Sequence, residues 1–203
     1  MFSPSIPPAP PSKHLMRPLL FVLLGSMAYL LPLSSCRKDV NNPQPDSQHG
    51  SVTTLTLVLT DSSASPVRLD TFQFDDPDGA GGQQPARWDT LRLRASRIYH
   101  AQVLLTNKLA NPPQDLTPLI RAQGTQHLLV YRGDTTLVRI RITDRDQLNL
   151  PLGLESLWES GILPGSGVLE INMRHIAFGK NINSGMGSGH SDLQVPFRLE
   201  IQP

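Results

Sequence analysis

The amino-acid sequence predicts an all-β protein: an antiparallel immunoglobulin-like β-sandwich of about eight strands over residues 51–203, behind a signal peptide (1–35) and a flexible tether (36–50). Three observations carry this expectation. Apolar and polar residues alternate with period two through most of the chain after residue 50, the mark of strands with one face buried and one wet. Clusters of Gly, Pro, Asn and Asp separate the alternating runs, supplying the turn chemistry that a sandwich needs. Only two pieces read as helical, Leu116 to Ala122 and Gly153 to Ser160, and both are short.

The strands follow in order. "SVTTLTLVLT" places Leu55, Leu57 and Leu59 on one face, and "DTFQFD" does the same for Phe72 and Phe74. "WDTLRLR" points Leu91 and Leu93 inward; "IYHAQVLLTN" points Tyr99, Ala101, Val103 and Leu105. "QHLLVYR" (126–132) is a short apolar strand, and "TTLVRIRIT" sets Val138, Ile140 and Ile142 against Arg139 and Arg141. "GVLEINMRH" buries Leu169, Ile171 and Met173; "LQVPFRLEI" buries Leu193, Val195, Phe197, Leu199 and Ile201. Pro196 has no N–H for a ladder, so the last strand is expected to be an edge or a bulged one.

The front of the chain is of another kind. Arg17 precedes an apolar run from Leu19 to Leu33, and Ser34 and Ser35 lead into Cys36, the chain's one cysteine. This is the layout of an export signal: charged region, short apolar region, small residues at the cut. The run falls below the roughly 20 residues that span a bilayer as a helix. Met16, directly before Arg17, is the more natural start than Met1. After Cys36, "RKDVNNPQPDSQHG" is polar and rich in Pro and Asn, a tether that has no apolar area to bury. Of the chain's 18 basic residues the leader removes Lys13 and Arg17, so 16 face 17 acidic ones. That balance argues against nucleic acid as a partner.

Two sets of side chains are candidates for ion binding. Asp75, Asp76 and Asp78 in "DDPDGAGG" offer hard oxygens beside a glycine turn, as a calcium loop does, though the full ligand spacing ending in Glu is missing. A second acidic loop, "TDRDQLNLPLG", adds Asp144 and Asp146 as possible partners. The alternative set is His127, His175 and His190, at strand ends and in a loop, whose imidazoles suit zinc. The plainer readings are solvated turn acids and hydrogen-bonded strand-end histidines. No Gly-x-Ser-x-Gly, phosphate loop or available thiol nucleophile occurs, so an enzyme is not expected. "GKNINSGMGSG" is Gly-rich but opens no helix, and 179–189 reads as a flexible hairpin loop.

Leu33-Ser34-Ser35-Cys36 resembles the lipobox of bacterial lipoproteins. That resemblance implies diacylglycerol on the Cys36 sulfur and cleavage before it; two or three acyl chains then anchor the protein to a membrane. Arg37 is not the aspartate that resembles an inner-membrane retention signal, which favours the outer membrane, and "RKD" is similar to a surface-export signal of Bacteroidota lipoproteins. Across the mature chain, "FQFDDPDGAGG", "YHAQVLLTN", "QHLLVYR", "ITDRDQLNLPLGLESLWESG", "LEINMRH" and "DLQVPFRLEI" resemble a group of small Bacteroidota outer-membrane lipoproteins. Some of these carry the label of type 1 periplasmic-binding-fold proteins, which would imply a two-domain α/β fold. The strand-rich, helix-poor body predicts otherwise. Members of the group are acidic ahead of the "QH" strand, where this chain has Asp115 as its only acid and a basic Arg121.

The resemblance implies an accessory role beside a TonB-dependent outer-membrane receptor. The expectation is therefore a non-enzymatic binding module assisting ligand or metal uptake, with calcium or zinc as the candidate ions. The alternative is a structural or adhesive surface lipoprotein that presents loops to a protein or glycan.

Overall fold

In a computed structural model, residues 51–78 and 82–203 are described. The expected signal segment, the expected lipidation site Cys36 and the expected tether lie outside the described residues. The strands are β1 (Thr54–Asp61), β2 (Arg68–Asp75), β3 (Arg87–Trp88), β4 (Leu91–Arg94), β5 (Ile98–Asn107) and β6 (Gln114–Asp115). Helix α1 (Thr117–Ala122) follows, then β7 (His127–Arg132), β8 (Val138–Ile142), β9 (Glu155–Ser160), β10 (Gly165–His175) and β11 (His190–Gln202).

Alternation along each strand decides which face turns inward. Leu55, Leu57 and Leu59 of β1 are buried, as are Tyr99, Ala101, Val103 and Leu105 of β5, against exposed His100 and Gln102. On β11, Val195, Phe197, Leu199 and Ile201 are buried while Pro196 and Arg198 are exposed. One sheet runs β3-β2-β1-β5-β9-β8, with β6 added on β5; the other runs β4-β11-β10-β7. Their apolar faces form a single core around Trp158, Phe197, Leu57 and Leu129. The all-β sandwich is thus the observed architecture.

Three details depart from the sequence reading. Among the described residues there are eleven strands rather than about eight, because β3, β6 and β9 join those expected. Residues 153–160, expected to be helical, instead supply β9, paired antiparallel with both β5 and β8. The reason is visible in the burial: Ser156, Trp158 and Ser160 are buried and Glu155 and Glu159 exposed, so the helix propensity of Glu155, Leu157 and Glu159 is overridden by pairing with the two neighbouring strands. Finally, β4 pairs with β11 in parallel, the one parallel pair among the described residues.

Pro196 is accommodated because β4 covers only Leu199–Gln202 of β11, leaving the proline on a stretch with one paired neighbour. The ladder between β10 and β11 is irregular at Met173/Arg174: Met173 faces Leu193, Arg174 faces Ser191, and Asp192 is the extra residue. Such a bulge re-aims a side chain. The short α1, with Ile120 buried and Pro118 in its first turn, is followed by a 3₁₀ turn over Gly124–Gln126 that delivers the chain into β7 at His127.

Candidate functional site

Sheet register brings the three histidines together. His175, the last residue of β10, lies opposite His190 at the start of β11 and opposite His127 at the start of β7. Side chains opposed across a ladder stand on the same face. The rings of His127 and His175 stack, with centroids 4.9 Å apart and planes 16° from parallel. His175 and His190 meet edge to face at 4.8 Å. Asp192, two residues past His190 and displaced by the bulge, completes the group. Its carboxylate is 3.1 Å from His190 Nε2 and 4.0 Å from His127 Nε2. The side chains of His127 and Asp192 are 1% and 2% exposed, so these groups face each other out of reach of bulk water.

One hydrogen bond fixes the chemistry of the first ring. His127 Nδ1 lies 3.0 Å from the Gln123 carbonyl, which only accepts, so Nδ1 carries the proton and donates. In the neutral ring Nε2 then holds a lone pair directed toward Asp192. Metal-binding histidines are oriented by this same second contact. A carboxylate buried so fully costs several kcal/mol unless positive charge accompanies it. Two occupants meet that requirement: protons on the imidazoles, or a divalent cation among them.

His127, His175 and Asp192 each offer a ligand atom within 4.8 Å of the others, the one such grouping of His, Cys, Asp or Glu among the described residues. Two ligands on one zinc, each about 2.1 Å from it, stand at most about 4.2 Å apart and about 3.4 Å at the tetrahedral angle. The 4.0 Å from His127 to Asp192 is within that reach, whereas a grouping that extends to 4.8 Å must contract for all three atoms to meet one ion. The donors grouped at that distance are two imidazoles and one carboxylate, a set that suits zinc rather than calcium. His190, 3.1 Å from Asp192, is the candidate fourth ligand, and the stacked His127 and His175 rings would have to turn for both lone pairs to meet one ion.

The acidic candidates have other engagements. Asp75 accepts from Thr54 Oγ1 at 2.8 Å and pairs with Lys108 Nζ at 2.5 Å. Asp78 accepts the Gln83 N–H at 2.8 Å on an exposed turn. Asp76 points elsewhere: it is 8% exposed and, with Val52, Phe74, Asp192 and Leu193, lines a cavity of about 270 Å³ walled by both sheets. Asp144 accepts the N–H groups of Gly153 and Leu154 at 2.8 and 3.0 Å. Gly153 there has φ of 95°, and a Cβ would stand 2.5 Å from the Leu129 carbonyl.

Asp146 accepts the Leu148 and Leu150 N–H groups at 2.8 and 2.9 Å and faces Lys180 Nζ at 3.3 Å. Burial pushes the Asp146 carboxyl up, but those two donors and the Lys180 ammonium outweigh it and hold it below the usual 3.8.

Sequence reasoning named all three histidines but missed Asp192. Period-two alternation carried back from Leu193 puts Ser191 rather than Asp192 on the inner face, and it is the bulge that re-aims Asp192 toward the histidines. No protein-family model matches the chain, and neither a curated protein nor a solved structure is significantly similar to it. Among the described residues no helix is long and apolar enough to cross a membrane.

Proposed function

We propose that this protein is a lipid-anchored outer-membrane lipoprotein whose sandwich domain is a non-enzymatic binding module for a divalent transition metal, zinc foremost. The observation that carries the metal reading is the convergence of His127, His175, His190 and Asp192 at one end of sheet β4-β11-β10-β7. Three imidazoles and a carboxylate fill the four positions of tetrahedral zinc, a closed set that favours holding the ion over activating a water on it. The anchor reading rests on Leu33-Ser34-Ser35-Cys36 behind a short apolar run. A metal-holding module tethered at the outer membrane fits service to a TonB-dependent receptor in metal uptake.

The test is metal stoichiometry and affinity on the full-length chain purified in detergent. One zinc per chain, competing with a chelating dye and lost in His127→Ala and in His175→Ala, supports the reading. Equal, weak zinc binding by wild type and both variants overturns it and leaves the adhesive alternative in front. Detergent partitioning of wild type against Cys36→Ser tests the anchor separately: equal partitioning contradicts it.

A further inference from the structure

The loop of residues 176–189 leaves the cluster at His175 and returns to it at His190, so displacing the loop displaces two of the three imidazoles. Both its ends are tied. Arg174 donates to the carbonyls of Ser188 and Gly189 at 2.8 and 2.7 Å, and Gly189, at φ of 59°, turns so tightly that a Cβ would overlap the His175 carbonyl. The Ile176 N–H bonds to the Gln126 carbonyl at 2.8 Å.

Within the loop a single side chain reaches deep into the body. Lys180 is 1% exposed at its side chain, and its backbone N–H bonds the Thr125 carbonyl at 2.8 Å. Its ammonium donates to the carbonyl of His127 at 2.8 Å and to that of Pro151, and it pairs with Asp146, whose side chain is wholly buried. Two donors of the ammonium thus find carbonyl acceptors and its charge is met by the Asp146 carboxylate, which is what a buried lysine requires. One of those acceptors belongs to the peptide of a cluster histidine. His127 is then held at both ends, by Lys180 on its carbonyl and by Gln123 on its ring.

We infer that Lys180, neutralised by Asp146, is a positioning residue of the metal centre: it pins the 176–189 loop to the His127 backbone and thereby sets metal affinity without touching the metal. This rests on the metal reading above. If Lys180 contacts and metal binding are coupled, the coupling is reciprocal, and the factor that Lys180 adds to affinity is the factor by which metal strengthens the Lys180 contacts.

The experiment has two arms, both on the full-length chain in detergent. In the first, cobalt(II) and zinc are titrated into wild type and Lys180→Met/Asp146→Asn, which removes both charges together so that no unpaired ion is left buried. The expected result is a folded variant with zinc affinity lowered tenfold or more and an altered cobalt d–d spectrum. The second arm needs no variant: amide hydrogen exchange of wild type with and without zinc, where exchange at Gly179 and Lys180 is expected to slow tenfold or more. Unchanged affinity and spectrum in the variant, or exchange at those two amides indifferent to zinc, overturns the positioning role. If the variant does not fold, the exchange arm decides alone. Wild type binding neither metal is a different outcome: it defeats the metal reading itself.

Discussion

The Asp144–Asp146 loop and the His127–His175–His190–Asp192 cluster are both buried and polar, and both drew the eye as ion sites. They differ in where their partners come from. Asp144 and Asp146 spend their oxygens on four backbone N–H groups and on Lys180, all within the same fold, so their charge is answered locally. In the cluster the facing groups are chiefly one another: imidazole against imidazole and imidazole against carboxylate. Buried acceptors directed at backbone donors build structure. Imidazoles and a carboxylate that face one another are the side-chain types that hold zinc.

The largest separation of the two regions is expected from His175→Ala, the central member of the row. Zinc affinity should fall a hundredfold or more, since removing a direct ligand exceeds the 10–100-fold cost of losing a supporting contact. The melting midpoint without metal should move little by comparison. Dye competition and a thermal melt on the same sample read both.

Asp144→Ala should do the reverse. It leaves the N–H groups of Gly153 and Leu154 without their acceptor in a buried turn, at roughly 1–3 kcal/mol each, or about 2–6 kcal/mol in all. For a domain of this size that is a midpoint lower by roughly 4–24 °C, with zinc affinity unchanged. A loss of zinc binding in a variant that remains folded would break the distinction between the regions.

Acid should separate them along the pH axis. A zinc-binding imidazole must be neutral, so zinc affinity is expected to fall as the pH is lowered. The carboxylates respond later. Against the upward push of burial, hydrogen bonds and lysine partners hold Asp146 and Asp75 below 3.8 in the folded state. Their contribution to stability is therefore complete above 3.8 and is lost as pH drops below it toward the folded-state values. Metal release ahead of unfolding as the pH is lowered is the expected order, read by dye competition and tryptophan fluorescence.

The smallest effect is expected from Asp78→Asn. Its carboxylate sits on an exposed turn where the Gln83 N–H is its partner, so stability should change by no more than about 0.5 kcal/mol and zinc affinity not at all. A calcium-dependent rise in the wild-type midpoint, lost in this variant, would restore the acidic-loop reading.

Much of this was legible before any coordinates. Period-two burial in β1, β5 and β11 follows directly from residue order, because successive side chains in a strand must take opposite faces. β9 was not legible. Glu155, Leu157 and Glu159 carry helix propensity, and only pairing with β5 and β8 on either side makes that run a strand. The three histidines could be named but not joined, since what joins them is the register of β10 with its hairpin partner β11 on one side and with β7, from far earlier in the chain, on the other. Asp192 was hidden by the bulge, a two-against-one irregularity that no spacing rule announces. Lys180 reads in the sequence as one more surface lysine of a polar loop. Its burial is a purely tertiary fact.

The central claim is that the row of histidines and Asp192 forms one zinc site. Zinc K-edge X-ray absorption on the full-length chain, loaded with one equivalent and washed, addresses it most directly. The expected spectrum is four light ligands at about 2.0–2.1 Å with the outer-shell scattering of three imidazole rings. Zinc surrounded by oxygen alone, with no imidazole scattering, or zinc removed by the wash, would contradict the account.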